Sequence, residues 1–212
     1  MHSPLYSESK LISLMMRLGE LVLLNLCFLL CCLPVVTIGA ASTALYTVCF
    51  RFGTEKEKGA VTSFFRAFGQ NLKQGIVLWL VVILFCGACG YITLLFFSMP
   101  GAVHYAFIPS LVLLVVGLII AGYAFPLLSL FDNTNLGTLK NALILGLSYL
   151  PRSLCVAALN ILPVILLLVD TMLFLRVSIF GIFLYFSAAA YLNTLLLRKV
   201  FAQFMPEEKA EE

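Results

Sequence analysis

From Gln74 to Phe131 the chain runs for 58 residues without an Asp, Glu, Lys or Arg. A helix rises about 1.5 Å per residue, and about 20 residues cross the hydrocarbon core of a bilayer. The run therefore suits two membrane spans, and Met99-Pro100-Gly101 supplies a turn signal between them. The spacing places these spans at 76–98 and 107–131. Over the whole chain 62% of residues are hydrophobic and 11% charged, with a mean hydropathy of +1.09. Ordinary globular domains carry about 25% charged residues. A membrane β-barrel shows short alternating segments, whereas these apolar runs are continuous. The expected fold class is all-α: a polytopic helical membrane bundle with no room for a separate soluble domain.

A second uncharged run, Leu21 to Phe50, is 30 residues long and is bounded by Glu20 and Arg51. It is too long for one upright span and barely long enough for two. Pro34 and Gly39 fall near its centre, where a helix is expected to break. The small residues Gly39, Ala40, Ala41, Ser42, Thr43 and Ala44 follow, and small faces let membrane helices approach closely. The expected arrangement is a first helix, a bend around 33–39, and a short second helix packed back on the bundle. Residues 33–46 either cross the membrane or form a re-entrant bend. Asn25, Pro34, Thr37, Gly39, Ser42, Thr43 and Tyr46 are the candidate residues of this broken-helix motif. Arg17, an apolar core and Ala40-Ala41-Ser42 imitate a signal peptide, but cleavage there would put the basic segment that follows outside.

The remaining elements follow in order. Leu11, Leu14, Met15 and Leu18 recur at helical spacing, an interfacial lead-in, and Arg17 and Glu20 can pair across three residues. Arg51 to Gly75 sets Arg51, Lys56, Lys58, Arg66 and Lys73 against Glu55 and Glu57. Within it, Phe64, Phe65, Phe68 and Leu72 form an apolar stripe beside Arg66, Gln70 and Lys73, which fits a helix at the headgroup boundary. Phe64, Phe65, Arg66, Phe68, Asn71 and Lys73 are the candidate docking surface for a partner. Trp79 and Tyr105 are expected at the interfaces, and Gly117-x-x-x-Ala121 is a small-residue packing face. Asp132-Asn133-Thr134-Asn135 reads as a turn or helix cap. Two further spans are expected at 153–169 and 177–197, with Asp170 and Arg176 flanking their turn. NLKQGIVL and YLPRSLCV hint at an internal repeat of the kind transporters use.

One helical domain over 1–206 results, with an acidic tail at 207–212. Its membrane segments lie near 18–36, 39–52, 76–98, 107–131, 153–169 and 177–197, and polar connections occupy 53–75 and 132–152. Five are full spans and one is short or re-entrant. With both termini cytoplasmic, 12 of the 13 Lys and Arg residues face the cytoplasm and only Arg176 faces out, the positive-inside pattern.

The chemistry-bearing residues are sparse. Six of the seven cysteines lie inside apolar runs and Cys49 ends one, so they read as small hydrophobes, including the pair Cys86 and Cys89. No cofactor, metal or nucleic acid is expected. Catalysis needs paired titratable groups or an activated nucleophile, and Asp132 and Asp170 fall on opposite faces, so the chain reads as a non-enzyme. Ion-coupled carriers usually hold an ionisable residue at mid-membrane. Here a carrier would rely on Asn25, Thr37, Ser42, Thr43 and Tyr46, with Asn160 and Asn193. The competing reading is that these amides bond between helices.

Asn25, Leu33-Pro34, Thr37-Ile38-Gly39, Thr43-Ala44-Leu45-Tyr46, Phe68, Asn71-Leu72-Lys73-Gln74 and Trp79 occur in a fixed order. On these residues the chain resembles the YesL-like family of small bacterial integral membrane proteins from about Arg17 to Arg198. The family usually has Pro where this chain has Ala40, which implies a softer bend. The resemblance implies a multi-pass protein of the bacterial cell membrane whose biochemical activity is unknown. It also implies an association with carbohydrate-uptake genes, and it carries no catalytic residues. The expected function is that of a non-catalytic accessory or assembly partner of a membrane complex. Its expected partners are the lipid bilayer and another membrane protein, such as a sugar permease component. The alternative is a small-solute transporter or channel subunit.

Overall fold

A computed structural model describes residues 4–52 and 59–204. Among these residues there are seven α-helices: α1 Pro4–Cys31, α2 Ile38–Arg51, α3 Ala60–Phe97, α4 Phe107–Leu130, α5 Asn135–Ser148, α6 Leu150–Val169 and α7 Thr171–Phe201. Short 3-10 turns, Val35–Thr37 and Gly101–Ala106, precede α2 and α4. Among the described residues there is no strand. Among the described residues, three stretches are long and apolar enough to cross a membrane: Ala60–Phe97, Val103–Leu130 and Leu150–Leu167. The acidic tail at 207–212 and the charges at Glu55, Lys56, Glu57 and Lys58 lie outside the described residues.

The breaks have local causes. α1 stops short of Pro34, because the residue before a proline is pushed out of the helical region. Gly101 follows Pro100 with φ +80°, a left-handed conformation that favours glycine. Thr134 caps α5: its hydroxyl accepts the Gly137 N–H at 3.2 Å. Pro151 lies in the first turn of α6, where its missing N–H costs nothing. The turn between α6 and α7 is the single residue Asp170, whose Oδ1 accepts the Met172 N–H at 2.8 Å.

α2 is the centre of the bundle. Every residue from Gly39 to Phe50 is buried except the half-buried Ser42. Helices α1, α3, α4 and α7 all pack on it, and its contact with α3 is the most extensive in the molecule. The N-terminus of α2 meets the middle of α3: a Cβ added at Gly75 would come 2.7 Å from the Ala40 backbone nitrogen, and one at Gly39 would collide with the Gly75 carbonyl. At the other end of α2, Phe50 packs on Phe201 of α7 with ring centroids 5.9 Å apart.

The stretch 74–97 of α3 runs antiparallel to α4 along the length of α4. Phe97 meets Phe107 at 5.5 Å, the Thr93 hydroxyl donates to Ser110 at 3.0 Å, and Trp79 meets Phe125 at 6.2 Å. At the far end Gln74 Nε2 donates to the Asn133 carbonyl. Gly117 makes room for Phe85 and for the Cys86 sulfur, which a Cβ would approach to 2.8 Å. The expected packing face at Gly117 is thus a real helix contact, and Cys86 sits in it.

Several boundaries differ from the sequence expectation. The polar stretch 59–75 is helical nearly throughout: α3 begins at Ala60 and continues unbroken through Gly75, where the glycine is pressed on Ala40. The connection 132–152 is mostly helix α5, with α6 starting at Leu150. Arg176 lies inside α7 and not in a turn. Trp79 packs over Gly39 and against Phe125, so it is a helix contact more than an interface anchor. The two halves of the suggested repeat differ as well: NLKQGIVL lies within α3, while YLPRSLCV begins at Tyr149, the residue between α5 and α6, and opens α6.

Candidate functional site

The break between α1 and α2 is closed by its own side chains. Pro34 is extended, with φ −76° and ψ 112°. The Thr37 hydroxyl reaches back to the carbonyls of Cys31 and Pro34, the latter at 2.7 Å. It thereby satisfies a carbonyl that the end of α1 would leave without a partner. The tip itself is apolar and uncovered, with Leu33 78% exposed and Val35 60% exposed.

Past the tip, each candidate polar group has a definite place. Thr43 donates to the Gly39 carbonyl at 2.9 Å, and Thr47 donates to that of Thr43 at 2.8 Å. Both bonds stay within α2, the usual way a hydroxyl is satisfied inside an apolar helix. Asn25, fully buried, accepts the Ser187 N–H of α7 through Oδ1 at 2.9 Å. Tyr46 accepts from Asn193 Nδ2 at 3.0 Å, and the same amide donates to Asn160 Oδ1 at 3.2 Å. Tyr46, Asn160 and Asn193 therefore join α2, α6 and α7 at one point. Asn193 Oδ1 is buried and has no hydrogen-bond partner. Asn25 stands apart on the α1–α7 seam, beside Phe28 and Phe186, whose ring centroids are 5.3 Å apart. Of the seven motif residues, Asn25 and Tyr46 tie helices together, while Thr37 and Thr43 close their own backbone. Pro34 and Gly39 shape the bend, and Ser42 is half-buried.

The candidate docking helix divides into two faces. Phe64 is 0% exposed and stacks on Phe68 at 6.4 Å, so these two rings belong to the interior. Asn71 Nδ2 donates to the Ala67 carbonyl at 2.9 Å, an internal bond of α3. Phe65 is 48% exposed, and Arg66 and Lys73 are exposed. The Phe-rich stripe is therefore not a free surface as a whole. Its apolar half is spent on α2 and the core, and a partner would meet Phe65, Arg66 and Lys73.

Two anchors were not readable from local sequence. Arg198 reaches from α7 to the C-terminus of α2, donating from Nη2 to the carbonyls of Phe50 at 2.8 Å and Phe52 at 3.3 Å. A guanidinium there meets the negative end of the helix dipole. Arg17 lies over the Phe52 ring, 4.4 Å from its centroid, and pairs with Glu20 at 3.4 Å as the three-residue spacing predicts. Ser153 is the second anchor: it donates to the Gly146 carbonyl at 2.6 Å and shares a 3.1 Å hydrogen bond with the Tyr123 hydroxyl. Gly146 is required, because a Cβ there would run into Ile119. No motif flags either contact, since each joins residues from different helices.

Among the described residues, no group of three or more His, Cys, Asp or Glu side chains converges. The arrangement as a whole defines an all-α protein with helices of membrane-spanning length, tied at its centre by amides and hydroxyls. The family model described as "Protein of unknown function, DUF624" matches residues 21–94. That match covers the second half of α1, the bend, α2 and most of α3, the stretch that also carries the YesL-like resemblance. No curated protein matches the chain. No solved structure matches it.

Proposed function

We propose that this is a bacterial integral membrane protein of the YesL-like type that works by assembling with another membrane component and not by chemistry of its own. The observation that carries this reading is the use made of the polar groups at the break. Asn25, Tyr46 and Asn193 are engaged between helices, and Thr37, Thr43 and Thr47 are engaged with their own backbone. Such bonds act as glue in a membrane bundle, each worth about 0.6 kcal/mol on average.

The same reading has both termini in the cytoplasm and residues 33–46 forming a re-entrant hairpin. α2 has 14 residues, and such a helix is about 21 Å long, less than the roughly 30 Å hydrocarbon core. Gly39, Trp79 and Phe125 pack at one level. Along α4 that level is about 9 Å from Phe131 and about 27 Å from Phe107. On this reading the start of α2 lies nearer the basic face than the opposite one, and α2 returns to the basic face. Thr37 closes the tip backbone, as non-helical backbone at that depth requires.

The expected partner is a sugar permease component. Affinity purification from native membranes in mild detergent should recover such a component in fixed stoichiometry. Recovery of the chain without any membrane partner would contradict the reading. One observation favours a second reading, a small-solute carrier: the buried, unpartnered Asn193 Oδ1 beside Tyr46 and Asn160. If that reading holds, Asn160→Leu abolishes solute uptake by proteoliposomes while expression is kept.

A further inference from the structure

Helix α6 carries charge only at its ends, with Arg152 in the first turn and Asp170 just past the last residue. Asn160 stands midway along its 20 residues, about 15 Å from either end. It is nevertheless exposed, on a helix long and apolar enough to cross a membrane. The other polar openings of α6 are closed from within. Pro163 has no N–H, so the Leu159 carbonyl loses its helical donor, and the Tyr185 hydroxyl of α7 donates to it instead. Ser153 is buried and donates to the Gly146 carbonyl. Asn160 differs. A primary amide has two N–H donors and two acceptor positions. Asn193 Nδ2 takes one acceptor position at 3.2 Å, and Tyr46 takes one further position. Two positions are left, and hydrocarbon offers neither donor nor acceptor to fill them. On the same side of α6, at spacings of three and four, lie the half-buried Ala157, Val164 at 50% exposed and Leu167 at 44% exposed.

We propose that this side of α6 packs against a second copy of the chain, the two α6 helices crossing at Asn160 about a two-fold axis. Such an axis sets each residue near the axis opposite itself. A primary amide is its own complement: Nδ2 of one Asn160 donates to the second lone pair of Oδ1 on the other, and the reverse. One amide per chain thus satisfies both. Ala157, one turn away, is small enough to let the helices approach closely. Val164 and Leu167 supply the apolar contact beyond the crossing. The inference rests on α6 being a membrane span and on no other partner, so its failure leaves the sugar-permease reading standing.

The test is sedimentation equilibrium of the purified full chain in density-matched detergent. Wild type should form a reversible dimer, and Asn160→Leu should weaken it about tenfold, the size of two interhelical bonds of this kind. Val164→Trp obstructs the crossing without touching the Asn160–Asn193 bond, so it should weaken the dimer as well, with unchanged melting. That variant keeps the test decisive if Asn160→Leu melts early. In native membranes, oxidation of Val164→Cys in an otherwise cysteine-free chain should give a covalent dimer. Leu84→Cys, on α3 at a position 71% exposed, should give none. A monomer at every concentration would overturn the proposal, as would an undiminished dimer in Val164→Trp. Val164→Cys joined to a different protein would overturn the choice of a second copy. Loss of solute uptake in Asn160→Leu with the dimer undiminished would assign the amide to the carrier reading and overturn this one.

Discussion

Single residues in this chain matter mainly through the space they leave or the partner they reach. Gly75 is pressed on the Ala40 backbone, so Gly75→Val must separate α2 from α3. Overpacking of this kind costs about 1–3 kcal/mol, and the expected outcome is a lower melting temperature in detergent. Phe64 and Phe65 are neighbours with opposite roles. Phe64→Ala empties a core site and should cost about 3–5 kcal/mol, whereas Phe65→Ala should leave thermal stability unchanged and weaken only a partner contact. Equal melting of the two variants would refute that division. Asn25→Leu loses the bond to the Ser187 N–H and should cost about 1 kcal/mol, measured in the same way. The sequence made Gly39, Pro34 and Thr37 legible, because small residues and a proline inside an apolar run have few other uses. Arg198 was not legible: its partners, Phe50 and Phe52, are brought to it only by the folded bundle.

At the scale of helices, what could be read was apolar length and what could not was continuity. The ends of α4 and α6 lie within a residue or two of expectation, because Phe131 is followed by a polar turn and Val169 by Asp170. The start of α3 was misplaced because amphipathic and apolar periodicity join there without a proline. A helix of 38 residues is about 57 Å long, almost twice a hydrocarbon core, so it has length to spare beyond one span and walls α2 as well. A consequence follows for α7. Arg198 caps α2 from a neighbouring helix, and Arg198→Gln removes the charge at that helix end. The expected effect is about 0.5–2 kcal/mol and a loosening confined to the α2 C-terminus. Hydrogen exchange would show it as faster exchange near residues 47–52, with α4 unchanged.

For the whole molecule, charge and hydropathy alone indicated a helical membrane bundle, and the helices bear out the all-α class and spanning length. Whether residues 33–46 cross or dip was not legible, because a 30-residue uncharged run fits either path. The packing of Gly39 on Gly75, near the basic end of α3, favours the dip. The proposed role as an assembly partner depends on that geometry. The most direct test is the accessibility of a single cysteine at Val35, placed in an otherwise cysteine-free chain in intact cells. A membrane-impermeant maleimide added from outside should leave Val35→Cys unlabelled, while a control cysteine at the exposed Val103 in the α3–α4 turn is labelled. Labelling of Val35→Cys as fast as that control would mean that the bend reaches the outer face, and would contradict the re-entrant hairpin.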